Sequence, residues 1–151
     1  MSSGASMFKG APSKPLLKQI YRLNLISGAS TKAYKLDSSK YKTVELMLAL
    51  KSVYGPAAGL KKFWRENLPA LKFHNEDVNF VVTRVRPNSD SHQDICAIPN
   101  KIIVHDASGN KSEIDCKGKH ASNILRKLVQ LTNAEKVADS EIPRLEFPSQ
   151  H

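Results

Sequence analysis

Residues 55–69, GPAAGLKKFWRENLP, constrain this chain more than any other stretch, because they read as one amphipathic helix with both ends written into the sequence. Pro56 sits where the fixed φ of proline suits a helix start, and Pro69 disfavours helical geometry at Leu68. Leu60, Phe63, Trp64 and Leu68 fall at i, i+3, i+4 and i+8, an apolar stripe that assigns Trp64 to the core. Lys61, Lys62 and Arg65 lie on the other side. Before this helix, Val44, Leu46, Leu48 and Leu50 alternate through residues 43–53. After it, residues 78–85 (VNFVVTRV) form a nearly continuous β-branched and aromatic run, the pattern of a strand covered on both faces. Two strands joined by a helix of this length predict a right-handed parallel βαβ unit.

The remaining elements extend that unit. Pro15 opens a helix expected to run through Ile26, with Gly28 just past its end. On it Leu16, Ile20 and Leu23 share one face, and Lys14, Lys18 and Arg22, four apart, line another. Residues 87–94 are polar and read as an exposed loop. Residues 101–105 and 111–116 are two short strands around Asp106-Ala107-Ser108-Gly109-Asn110, a hairpin signal. Ile124, Leu125, Leu128 and Leu131 place a second core-facing helix over residues 121–131. The order β-α-β-β-β-α predicts an α/β fold. It divides the chain into a basic extension with one helix (1–41), an α/β domain (42–133) and an extended tail (134–151).

Charge is unevenly spread. Residues 1–72 hold 13 Lys and Arg against Asp37, Glu45 and Glu66, so 13 − 3 gives +10; residues 73–151 hold 10 against 11, or −1. A one-sided basic excess points to a polyanion such as nucleic acid, or to an anionic membrane surface. Lys9, Lys14, Lys18, Arg22, Lys32, Lys35, Lys40 and Lys42, interleaved with Tyr21, Tyr34 and Tyr41, predict contact with RNA phosphates and base stacking. Lys61, Lys62 and Arg65 join them as candidate RNA-binding residues. The first acidic residue is Asp37, so the start of the chain has the acid-poor, hydroxyl-rich composition of a mitochondrial targeting segment, or of a basic tail held by a partner.

Catalytic chemistry has no foothold in the pattern. Cys96 and Cys116 are twenty residues apart and form neither a redox pair nor a zinc pattern. Buried, reduced thiols are expected of both. The histidines at 74, 92, 105, 120 and 151 form no ligand cluster, and no phosphate-loop, dinucleotide or nucleophile-elbow motif is present. The sequence therefore predicts no enzyme, cofactor, metal site or small-molecule substrate. No apolar run reaches the length of a membrane span.

With these residues in place, a βαβ unit followed by a hairpin and a helix resembles the thioredoxin architecture, with Ile98-Pro99 at the place of its cis-proline. The phrase GLKKFWRENLPALKFHN, residues 59–75, is more specific. It resembles the signature of the thioredoxin-like domain shared by several mitochondrial ribosomal proteins and a small accessory subunit of respiratory complex I. The resemblance covers residues 41–133. The basic N-terminal helix makes the chain most similar to the fungal large-subunit member. Gly59-Leu60-Lys61 replaces Gly-Ala-Arg, Asn75-Glu76 replaces Asn-Pro, and Tyr54-Gly55-Pro56-Ala57 stands without cysteines where thioredoxin carries its redox pair.

The resemblance implies a non-catalytic component of the mitochondrial large ribosomal subunit, in the matrix, bound to rRNA and neighbouring ribosomal proteins. It also implies a helix N-terminus at residues 54–57 free to bind phosphate. An accessory subunit of complex I, using the same fold for protein docking, is the alternative, and the basic first half argues against it. A thiol oxidoreductase is disfavoured because no cysteine opens a helix.

Overall fold

The computed structural model describes residues 13–49, 55–89 and 91–146. Lys9, Leu50 and Tyr54, and with them most of the acid-poor N-terminal segment and the start of the expected phosphate site, lie outside the described residues.

Helix α1 spans Lys14–Ser27. Ser13 caps it by accepting the Leu16 N–H at 3.3 Å, Pro15 occupies its first turn, and Gly28 ends it in the left-handed region at φ 88°. The chain then runs through a two-residue strand β1 (Tyr34–Lys35) into β2 (Tyr41–Ala49). Helices α2 (Gly55–Glu66) and α3 (Leu68–His74) connect β2 to β3 (Asn79–Val85). A short helix α4 (His92–Cys96) precedes the hairpin β4 (Lys101–Asp106) and β5 (Lys111–Asp115). Helix α5 (Ala121–Thr132), a two-residue strand β6 (Glu135–Lys136) and a 3-10 turn (Asp139–Glu141) complete the described chain.

The α/β prediction holds. The main sheet has the order β3-β2-β4-β5, with β2 parallel to β3 and antiparallel to β4, and β4 antiparallel to β5. The expected parallel βαβ unit and hairpin are both present. One sheet face carries the core. Val44, Leu46 and Leu48 of β2 and Ile102 of β4 are fully buried against Leu60 and Phe63 of α2, Leu71 of α3 and Ile124 of α5. Alternation in β2 turns Thr43, Glu45 and Met47 to the opposite face, which is only partly covered. There Ala49 and Val85 pack against Ile95 and Ile98, which places α4 at one end of that face.

Four readings are corrected. The stretch 55–69 is two helices: Pro69 starts α3 as well as ending α2, since a proline without an N–H is accommodated in a first turn. Strand β3 is an edge strand that leaves Val81 36% exposed, because the outer face lacks a full helical layer over it. The polar segment after β3 gives way to α4, whose Ser91 cap accepts the Asp94 N–H at 3.2 Å. The Ile98–Pro99 peptide, at the place of the expected cis-proline, is trans.

Two close contacts lock the helices to the rest. A Cβ on Gly59 would lie 1.6 Å from the Lys119 carbonyl oxygen, so only glycine lets α2 approach the turn before α5. The buried Asn75 side chain accepts the Leu36 N–H at 2.7 Å and donates to the carbonyls of Tyr34 and Leu71, each at 2.8 Å. It fastens β1 and its loop to the end of α3. Strand β1 in turn pairs antiparallel with β6, which ties the N-terminal extension to the segment after α5.

Candidate nucleic-acid interface

The basic residues singled out in the sequence fall into separate groups on the surface. Lys14, Lys18 and Arg22 are exposed along one side of α1. The opposite side packs inward through Ile20, Asn24 and Ser27, the three buried residues of the helix. Of the expected apolar face, Ile20 alone is buried; Leu16 and Leu23 stay 39% and 45% exposed. The helix is rotated relative to that face because the Asn24 amide is buried in its own task. It donates to the Leu145 carbonyl at 2.7 Å and accepts the Leu145 N–H at 2.8 Å.

Lys32 and Lys62 come together at a groove of about 840 Å³ between α1, α2 and α5. Tyr21 of α1 and Tyr34 of β1 line it with them. From α5 it receives Arg126, a residue of the acidic half of the chain, which the charge count could not single out. Helical spacing from Leu125 and Leu128 places Arg126 off the core face, so the signal was present in the sequence but the neighbours were not. Among the described residues, Glu66, 3.8 Å from Lys62, is the one carboxylate lining this groove.

Other candidates are placed differently. Lys35 lines a smaller cleft beside Glu76 and Asp77, a mixed environment. Lys40 lies over the Tyr41 ring, its Nζ 5.4 Å from the centroid, and Lys42 donates to the Ser38 carbonyl at 2.9 Å. Tyr41 itself is buried, with its hydroxyl 3.3 Å from the Leu131 carbonyl, so it is no platform for a base. Arg65 is exposed on α2 and Lys61 is half-buried there. Trp64 is half-buried and packs on the core, with the Arg84 guanidinium 5.5 Å from its ring centroid. The ring is sandwiched between core and cation, in keeping with a packing role.

Neither thiol forms a disulfide, and Cys96 is only partly buried where burial was expected. Cys116 is fully buried, and burial, followed by the charge of Asp115, pushes it up to about 12. A thiol held in that state is a poor nucleophile at neutral pH. On the outer sheet face Glu45 accepts from Thr83 Oγ1 at 2.5 Å and lies 3.5 Å from His105 Nε2. The Thr83 hydrogen bond, outweighing partial burial and aided by His105 and Lys111, holds the Glu45 carboxyl below its ordinary range. Among the described residues, no helix is long and apolar enough to cross a membrane.

Residues 60–121, from α2 to the first residue of α5, match the family described as the mitochondrial ribosomal protein L51 / S25 / CI-B8 domain. Over those residues the chain is similar to this family. The L51/S25/CI-B8 match takes in the core residues of α2 and α3, the Asn75 clamp, β3 and the hairpin. Helix α1, β1 and most of α5 lie outside the match, so the groove joins the domain to flanking elements. The chain is also similar to the large ribosomal subunit protein mL61 of Saccharomyces cerevisiae, 29% identical over 131 residues that cover 85% of this chain and 91% of the relative.

Proposed function

We propose that this protein is a structural, non-catalytic constituent of the mitochondrial large ribosomal subunit, working in the mitochondrial matrix. The observation that carries the reading is the similarity to mL61, which extends beyond the L51/S25/CI-B8 domain over most of the chain. Basic side chains of the first half neutralise rRNA phosphates and release their counterions, and the α/β domain docks by shape on neighbouring ribosomal proteins or RNA. Lys14, Lys18 and Arg22 on α1, Lys32 and Lys62 at the groove, and Arg65 on α2 are exposed and able to reach phosphates. The same role is assigned to Lys9, Lys35, Lys40, Lys42 and Lys61. The buried, protonated Cys116 supports a role without thiol chemistry.

Sedimentation of a mitochondrial lysate through sucrose at moderate and at high salt tests this. The chain is expected to travel with large-subunit rRNA at moderate salt and to be released as salt rises. Co-migration with complex I, or with small-subunit rRNA, would overturn the reading.

A further inference from the structure

The groove between α1, α2 and α5 differs from the rest of the basic surface in what it combines. Tyr21 is 49% exposed at its edge, and Tyr34 is packed on the core from behind, so its ring is held in place. The backbone behind Tyr34 is fixed twice, by the Asn75 amide and by pairing with Lys136 of β6. Around these rings stand Lys32, Lys62 and Arg126 against the carboxylate of Glu66, a net positive lining among the described residues. Arg126 Nη2 donates to Asn123 Oδ1 at 2.6 Å, which holds the guanidinium over the first turn of α5.

We infer that this groove takes an unpaired RNA segment, with one base or more stacked on the tyrosines and the phosphates held by Lys32, Lys62 and Arg126. The inference deepens the ribosomal reading and rests on it. Cations alone would suit any phosphate backbone, including a duplex. Aromatic rings set among cations suit bases that are free of partners, because in a duplex the faces of the bases are taken up by their own stacking. The excess of cations in the lining favours the polyanion over a peptide of mixed charge. Arg126 thereby becomes an RNA-contacting residue of the half of the chain that carries no basic excess.

Fluorescence anisotropy of the purified full chain, with labelled oligouridine and with an RNA duplex of the same length, tests the inference. The single strand is expected to bind more tightly than the duplex. Tyr21→Leu should lower single-strand affinity about tenfold and leave duplex affinity unchanged. Arg126→Gln should reduce the salt slope for the single strand by about 0.7. Both side chains are on the surface, and thermal unfolding matching the wild type verifies that each variant folds. Equal affinity for the two RNAs, unmoved by either change, would overturn the groove assignment while leaving phosphate contact by the basic surface standing. Absence of binding to either RNA would overturn both. A polyglutamate peptide whose binding Tyr21→Leu weakens, with oligouridine binding unmoved, would assign the groove to a protein partner and overturn the inference.

Discussion

The 1.6 Å between a Cβ on Gly59 and the Lys119 carbonyl oxygen makes the backbone itself the obstacle. No side-chain rotation relieves it. Gly59→Ala should therefore destabilise the fold by about 2–3 kcal/mol despite the better helix propensity of alanine, as read from denaturant midpoints. Asn75→Ala should cost about 2–4 kcal/mol, because it strands the Leu36 N–H and the Tyr34 carbonyl in a buried place. In the sequence both residues stood only as parts of a familiar phrase; Lys119 is 60 positions from Gly59, and Leu36 and Tyr34 are 39 and 41 from Asn75, so no local pattern reveals these partners.

Cys116 makes a prediction with a pH window. Its thiol titrates at about 12 when folded and at 9.0 as an ordinary cysteine. Below pH 9 both states hold the proton and the group adds no pH dependence. Between 9 and 12 the unfolded chain releases it and the folded chain does not, so stability falls as pH rises, by at most about 1.4 kcal/mol per unit. Comparing wild type with Cys116→Ala at pH 8 and pH 10 isolates this contribution as the difference between their two slopes.

At the level of elements, helix α1 presents two faces with different duties. Its basic row is remote from the core, so replacing Lys14, Lys18 and Arg22 together with glutamine should leave the unfolding midpoint unchanged. The salt slope of rRNA binding should fall by about 2–3, measured by binding at several salt concentrations. The buried Asn24 does the opposite work. Asn24→Ala removes both bonds to Leu145 and should raise hydrogen exchange and protease cleavage at residues 142–146, with the exchange of β2 and β4 amides unaltered.

The same elements mark how far local pattern reaches. Pro15 and Gly28 bracket α1, and the spacing of Ile124, Leu125 and Leu128 marks α5, because these signals are contained within one segment. Helix α3 was hidden because Pro69 serves as a stop and a start at once. Helix α4 had a readable mark in Ser91 and Asp94, a capping pattern three residues apart, outweighed by the polarity around it. Which side of α1 faces inward depended on Leu145, far along the chain, and so lay beyond periodicity.

For the whole molecule, alternation in β2 and the hairpin turn were enough to indicate an α/β sheet, since the β2–β3 and β4–β5 pairs each follow from the connection between them, whereas the β2–β4 pairing that joins the two halves is long-range. The exposure of β3 follows from what does not cover it, a property of the assembled sheet. Net charge pointed to a polyanion and located the excess in the first half. It did not show that Arg126 folds back to join Lys32 and Lys62, because linear charge counts ignore the third dimension. The candidate surface thus became a specific groove only when the helices were packed.

The proposed contact is with rRNA of the large subunit, through α1 and the groove it forms with α2 and α5. Ultraviolet cross-linking of intact mitochondrial ribosomes, followed by mass spectrometry of RNA-bearing peptides from this chain, tests it most directly. Cross-links are expected on peptides containing Lys14 to Tyr34 and Arg126, joined to large-subunit rRNA. Cross-links confined to β5 and the outer sheet face, or a chain that purifies free of that rRNA, would contradict it.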